Sequence, residues 1–273
     1  MSDLLEMFDL TGRAAIVTGG SGLLGFEFCK TLAAAGAGVI VADINGEAAE
    51  RSAKTITDSG FRAEGKQVDI TSPGSIRELV DSTLGAFGRI DILVNSAALD
   101  PKFDPQSRQS NAGAFEDYPL DLWQQALNVN LTGAMLCCQA VSKPMLAQET
   151  GVIINVSSIY GLVAPDQRLY QREGSPPQYK PVYYTVTKAG ILGLTKYLAA
   201  YYTGKNIRVN AITPGGVFNG HEDEFVKNYA ARAVIGRMAE KDEMNGALLF
   251  LASDASQYMT GANLVVDGGW TTW

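Results

Sequence analysis

Short, continuously apolar runs separated by longer segments of helical period dominate this chain. Arg13–Val17 is the first such run, ending in Thr18-Gly19-Gly20, and a helical segment Leu23–Ala35 follows until Gly36 stops it. A second run, Gly38–Ala42, ends at Asp43. The alternation continues with a helix over Glu47–Thr57, a strand over Gly65–Val68, a helix over Pro73–Phe87 and a strand over Ile90–Val94. A long helical region, Leu120–Ala147, leads to the strand Val152–Val156. The helix Tyr184–Tyr202, the strand Ile207–Ile212 and a last helix–strand pair ending near Val266 complete it. Strands that stay apolar at every position are buried on both faces, which means a parallel sheet covered by helices on each side. The pattern predicts one doubly wound α/β domain over residues 1–273, without internal repeat or linker.

Composition narrows the function. With 273 residues, 46% of them hydrophobic and 19% charged, the chain can bury a substantial core. No apolar run approaches the roughly 18 residues of a membrane span, and the acidic start MSDLLEMFDL is unlike a signal peptide. A net charge of −7 argues against nucleic acid as the partner. One histidine, His221, and three scattered cysteines give no zinc-binding set. Cys29, Cys137 and Cys138 read as buried thiols of a reducing compartment. The expectation is a cytoplasmic protein with a small-molecule substrate, touching neither membrane nor nucleic acid.

Gly19, Ser21, Gly22, Leu23, Leu24 and Gly25 lie in the turn between the first strand and first helix. Glycines there let the backbone approach a pyrophosphate, which the free amides of a helix N-terminus can hold. Asp43 ends the second strand, 18 residues beyond Gly25. A carboxylate at that place accepts hydrogen bonds from ribose hydroxyls and repels a 2′-phosphate. No basic residue in Gly19–Gly25 or at Ile44-Asn45 compensates for such a phosphate. The turn therefore predicts a Rossmann-type site for NAD rather than NADP; the blander alternative makes Asp43 a helix cap.

At these positions and beyond, the sequence resembles the short-chain dehydrogenase/reductase family over nearly its whole length. Asp69-Ile70 matches that family's adenine-contacting pair, and Asn95-Ser96-Ala97-Ala98 resembles its Asn-Asn-Ala-Gly signature with two departures. Asn128-Val129-Asn130-Leu131, Val156-Ser157-Ser158, Tyr184-Thr185-Val186-Thr187-Lys188 and Pro214-Gly215 follow in the family's order. The ending Leu251-Ala252-Ser253-Asp254 through Asp267-Gly268-Gly269 is that of the classical branch. The glycine spacing 19, 22, 25, with Leu23 where that branch has glycine, is instead that of the extended branch of sugar-nucleotide epimerases. Cofactor contacts implied by the resemblance are Gly19, Ser21, Gly22, Leu23, Leu24, Gly25, Asp43, Ile44, Asp69, Ile70, Asn95 and Ala97 in the first half. In the second half they are Tyr184, Lys188, Pro214, Gly215, Val217 and Asn219.

Tyr-x-x-x-Lys occurs twice, at Tyr184–Lys188 and Tyr201–Lys205, and position separates the two. Tyr184 opens the helix that follows the serine-bearing strand, whereas Tyr201 lies at its far end. A four-residue spacing brings Lys188 to the Tyr184 ring, and the expectation is that its charge, with that of an oxidised nicotinamide ring, favours the phenolate. Tyr184 would move the alcohol proton, and Ser158 would hydrogen-bond the substrate oxygen. Ser157 offers an equal hydroxyl; only the family offset selects Ser158. By the same resemblance Asn130 supports a proton relay through Lys188. The implied reaction interconverts a secondary alcohol and a ketone by hydride transfer.

Two polar insertions, 100–117 and 161–182, leave the sheet where open α/β sheets bind ligands. Arg108, Arg168, Arg172 and Tyr179 in them, with His221, are candidate substrate contacts. Side chains of this kind suit a sugar, sugar acid or polyol. Alternatives are a 3-oxoacyl-carrier-protein-type reductase, a sugar epimerase with retained NAD, or a dinucleotide sensor without turnover. Trp270 and Trp273 at the terminus would be left wet in a lone domain, so a homo-oligomer, tetramer or dimer, is expected.

Overall fold

A computed structural model describes residues 4–100, 114–171 and 177–273 of the chain. Seven strands form one sheet: β1 (Ala14–Thr18), β2 (Gly38–Asp43), β3 (Ala63–Gln67), β4 (Ile92–Asn95), β5 (Gly151–Val156), β6 (Ile207–Pro214) and β7 (Asn263–Val266). Their order is β3-β2-β1-β4-β5-β6-β7, and every adjacent pair is parallel. The expected doubly wound α/β fold is what the chain adopts. Between β1 and β4 the strand order reverses, so the connections leave in opposite directions and open a crevice at the carboxyl edge.

Alternate residues of each central strand serve opposite cores. Ala15, Val17, Val39 and Val41 face one cluster with Phe28 and Leu32 of α1 (Leu23–Ala34) and Leu248 and Leu251 of α8 (Asn245–Ala252). Ile16, Ile40 and Leu93 face the other. There they meet Ile76 and Leu79 of α3 (Pro73–Phe87) and Cys137 and Val141 of α5 (Ala134–Gln148). The period-two side-chain alternation of a strand thus fills both sides of the sheet, as a parallel sheet requires. All three cysteines are buried and unbridged, in line with the expected thiols.

Element boundaries depart from the expected ones in instructive places. The long helical region is α4 (Leu120–Leu127) running into α5 through a π-helical turn, Asn128–Gly133, that contains Asn130. A 3.6-residue pattern does not register such a widened turn, and these turns cluster at functional sites. A helix the sequence pattern did not single out, α7 (Asp223–Ala230), buries only Phe225 and Tyr229 of its eight residues. Its apolar face is too narrow to stand out. The Tyr184 helix is α6 (Val182–Tyr201), and α2 (Gly46–Asp58) follows Asp43.

Trp270 corrects the reasoning about the terminus. It is buried in its own chain, 5.8 Å from the Tyr229 ring and 5.9 Å from the Tyr160 ring. Only Trp273 is exposed, and its indole N–H donates to the Arg232 carbonyl. No helix among the described residues is long and apolar enough to cross a membrane.

Leu93 is fully buried at the sheet centre, whereas Leu120 is largely exposed at the start of α4. Leu93→Ala is expected to cost about 2–5 kcal/mol of stability and Leu120→Ala less than about 1. Denaturant midpoints of the two variants check this.

Candidate active site

Thr18 closes β1 and pins the turn beyond it. Its hydroxyl accepts from the N–H groups of Ser96 and Ala97 at 3.2 and 3.3 Å. Gly19 has φ +64°, and a Cβ there would lie 2.7 Å from the Ala97 Cα. A Cβ on Gly25 would stand 2.1 Å from the Gly19 carbonyl oxygen. Both positions therefore demand glycine, because helix α1 packs directly onto the turn. Leu23 needs none: its side chain is partly exposed along the cleft wall.

Helix α1 begins at Gly22 with no side-chain cap, leaving its first amides without a side-chain partner. The Ser21 hydroxyl beside them is buried with no hydrogen-bond partner. An orphaned donor next to uncapped amides fits a pyrophosphate. Asp43 accepts from the Ser21 N–H and the Asn45 N–H, each at 3.1 Å, and so ties the end of β2 to the turn. The cap of α2 is Asn45, which accepts from the Ala48 N–H, so Asp43 is not a helix cap.

From this turn a cleft of 1380 Å³ runs along the carboxyl edge of the sheet. Asp43, Ile44, Asp69 and Ile70 line it on one side of the order reversal; Ala97, Ser158, Tyr184, Lys188, Pro214, Gly215, Val217 and Asn219 line it on the other. One continuous groove thus joins the glycine turn to the Tyr-x-x-x-Lys pair, and its residues fit an extended dinucleotide.

Lys188 is buried, with its ammonium 5.8 Å from the Tyr184 ring centre and donating to the Val156 carbonyl at 2.9 Å. Burial pushes it down to about 8, with Asp100 opposing and Lys180 adding to the shift. Burial also pushes the Tyr184 phenol up; the Asp100 carboxylate adds to this, and a hydrogen bond with Ser158 works the other way. In the protein alone, removal from water therefore sets the direction on Tyr184; the lowering was expected from Lys188 together with an oxidised nicotinamide. The Ser158 hydroxyl also accepts from the Tyr160 N–H at 3.2 Å. Ser157 is committed elsewhere, donating to the Lys188 carbonyl at 2.9 Å. Geometry thus separates the two serines that sequence left equal. Tyr201 is exposed at the far end of α6 and stacks on Tyr197.

A family profile described as enoyl-(acyl carrier protein) reductase matches residues 21–271. D-threitol dehydrogenase of Mycolicibacterium smegmatis is 35% identical, covering 97% of this chain and 95% of its own. The chain is a short-chain dehydrogenase/reductase. A 3-alpha-(or 20-beta)-hydroxysteroid dehydrogenase of Mycobacterium bovis is 37% identical over 95% of this chain and 90% of its own. Among solved structures, gluconate 5-dehydrogenase of Burkholderia cenocepacia, crystallised with NADP and tartrate, superimposes with a TM-score of 0.86 at 30% identity. That alignment covers 99% of this chain and all of the other (100%). The short-chain dehydrogenase/reductase is accordingly an oxidoreductase that binds a nicotinamide dinucleotide.

Several expected contacts of this dehydrogenase/reductase lie off the cleft. Asn95 is buried below it, its amide donating to Asn155 at 2.9 Å and to the Cys138 sulfur at 3.2 Å, so it braces β4 against β5. Asn130 is buried too, gripping Leu99 by both backbone groups: the Leu99 N–H donates to it at 2.6 Å and it donates to the Leu99 carbonyl at 3.0 Å. Ser21 meets the cleft only through its turn. Arg168 points to solvent and forks onto Asp166, whose carboxyl this pairing holds far below the usual range. Tyr179 lines a separate cavity of 390 Å³ with Thr185 and Val186. For Arg168 the reason is a partner two residues away, nearer than the cleft. Arg108 and Arg172 lie outside the described residues.

His221 does line the cleft, stacked 5.0 Å from Phe225, with Nδ1 accepting the Asn219 N–H at 3.2 Å; burial lowers its pKa. Among the cleft residues not singled out as contacts, one group is aromatic. Tyr160, Tyr170, Phe225 and Tyr229 wall the cleft beside Tyr184, and the Tyr170 hydroxyl donates to that of Tyr160 at 2.9 Å. Only Tyr170 lies in a stretch read as a polar insertion, 161–182; Tyr160, Phe225 and Tyr229 fall outside both insertions.

Gly25→Ala tests the turn. Its methyl must displace the Gly19 carbonyl, and dinucleotide affinity is expected to fall at least about tenfold. Titration of protein fluorescence with NAD measures the loss.

Proposed function

We propose that this enzyme interconverts a secondary alcohol and a ketone with NAD, on a sugar, sugar acid or polyol. The observation that carries the reading is the grouping of Ser158, Tyr184 and Lys188 at the end of a groove that starts at the glycine turn. A nicotinamide dinucleotide, when bound, supplies or accepts the hydride. In reduction the Tyr184 hydroxyl donates its proton to the carbonyl oxygen; in oxidation it takes the carbinol proton. Its upward shift keeps that proton on at neutral pH, the form reduction needs. Ser158, already hydrogen-bonded with the phenol, holds the substrate oxygen where charge develops. Lys188 provides positive charge behind the ring, and Asn130 fixes the β4 loop beside it.

The residues bearing on the dinucleotide's adenosine end are Asp43, Ile44, Asp69 and Ile70. Asp43 supports NAD: a carboxylate at the end of β2 disfavours the 2′-phosphate. The gluconate 5-dehydrogenase holds NADP and a xylitol dehydrogenase of similar fold holds NAD+, so the fold accepts either and the Asp43 carboxylate is what supports NAD here. Wild type is expected to favour NAD over NADP at least about tenfold in kcat/KM, and Asp43→Asn to narrow that gap by a similar factor. Initial rates with both cofactors measure it.

The aromatic wall supports a ring- or chain-bearing substrate whose C–H face packs on Tyr160 and Phe225 while its hydroxyls reach polar groups. Asp100, Tyr170, Gln178 and Lys180, from the described parts of the insertions 100–117 and 161–182, line the cleft and support those segments as its substrate side. Self-association belongs to this proposal through the exposed Trp273, Tyr197 and Tyr201. The test is absorbance at the NADH band with sugars, sugar acids, polyols and simple alcohols. Turnover of the hydroxyl-rich classes is expected, falling at least about a thousandfold in Tyr184→Phe while NAD still binds. Turnover of hydrophobic alcohols alone would overturn the substrate reading.

A further inference from the structure

A second cation stands over the proposed base. Lys180 is buried, and its ammonium lies 4.1 Å from the centre of the Tyr184 ring, nearer than that of Lys188. It is ion-paired with Asp100, whose side chain is 51% exposed against 9% for the lysine. Both residues line the cleft. The cation is therefore the inner member of the pair and the carboxylate the outer one.

Two side-chain amides hold the pair in place. Asn130 grips both backbone groups of Leu99, the residue before Asp100. Gln167 does the same for Lys180: its amide oxygen accepts the Lys180 N–H at 2.9 Å, and its amide nitrogen donates to the Lys180 carbonyl at 3.3 Å. Carboxylate and ammonium meet because each chain segment is clamped at the residue that matters. A loose surface ion pair has no such backing.

The charges around the pair have a clear balance. Asp43, Asp69, Asp100, Asp121 and Glu222 line the cleft against Lys180 and Lys188, and no arginine does among the described residues. Recognition of a carboxylate or phosphate ordinarily uses an arginine fork or an uncompensated lysine. Among the described residues, the lysine at the substrate end, Lys180, is already paired, and the group in front of it is the Asp100 carboxylate. Vicinal hydroxyls, by contrast, are donors that an ionised carboxylate accepts strongly.

We propose that the Asp100–Lys180 pair is the specificity determinant of the cleft, selecting an uncharged polyhydroxy substrate and rejecting its carboxylate counterpart. Asp100 accepts a hydroxyl adjacent to the reacting carbinol, and Lys180 holds that carboxylate over the Tyr184 ring. The inference rests on the polyol reading above and narrows it, since sugar acids are then excluded.

The two members of the pair make opposite predictions, which a merely structural role would not. The probes are xylitol and gluconate, followed by NADH formation, with NAD binding monitored to confirm folded protein. Wild type is expected to favour xylitol in kcat/KM. Asp100→Asn removes the anion and frees the Lys180 charge, moving the xylitol-to-gluconate ratio at least about tenfold toward gluconate. Lys180→Gln leaves the anion unpaired and moves the ratio the other way, while lowering kcat for both. A wild type that prefers gluconate, or ratios that move together or not at all, overturns the inference and leaves the polyol reading standing. Turnover of neither probe class by wild type, with simple hydrophobic alcohols accepted, overturns both.

Discussion

Everything chemical in this enzyme depends on strand direction. Seven parallel strands bring seven carboxyl ends to one edge, and the reversal of order between β1 and β4 parts the connections there. A site built at such an edge inherits much of its precision from the sheet, because many of its residues stand one or two positions beyond a strand, while Tyr184 and Lys188 come from α6. Thr18, Asp43, Asn95, Val156 and Pro214 are the last residues of their strands. The glycine turn, Ala97, Ser158 and Gly215 follow directly, so the groove is as rigid as the core beneath it.

A second layer of order comes from side-chain amides rather than from the sheet. Asn155 joins Asn95 to Thr195 of α6, donating to the threonine hydroxyl at 2.9 Å. Asn130 and Gln167 each seize a backbone pair on a loop that would otherwise have no strand to lean on. An amide carries both donors and an acceptor, so one side chain can satisfy a neighbouring N–H and C=O together. This is why Asn130 lies in a π-helical turn: the wider turn offsets its side chain from the regular helix face and toward Leu99.

The strand and helix order was legible because continuous apolar runs have few alternatives, and the glycine turn because Gly19 and Gly25 tolerate no Cβ. The motif residues Ser158, Tyr184 and Lys188 came together as their spacing implied. What was not legible depended on which partner each side chain finds in the fold, whether two residues away or a hundred. Arg168 reads as a substrate-gripping cation until Asp166 is seen to hold it, and Trp270 reads as wet until Tyr160 and Tyr229, far apart in the chain, enclose it. The role of Asn95 likewise changes once Asn155 and Cys138 stand beside it. Helix α7 escaped for a local reason, since two buried residues make no periodic signal.

Burial acts on the reacting groups in opposite senses, and the consequence reaches beyond each of them. It raises the Tyr184 phenol and lowers the Lys188 ammonium, so both neutral forms gain at the place where proton transfer is proposed. Asp100 opposes the shift on the lysine and reinforces that on the tyrosine. One carboxylate therefore keeps the proton on both groups, holding the tyrosine as an acid and the lysine as a cation. Any ligand that draws the Asp100 charge toward itself weakens both effects at once. On the proposed reading, a substrate hydroxyl taken by Asp100 would therefore also bear on the proton affinity of Tyr184 and Lys188.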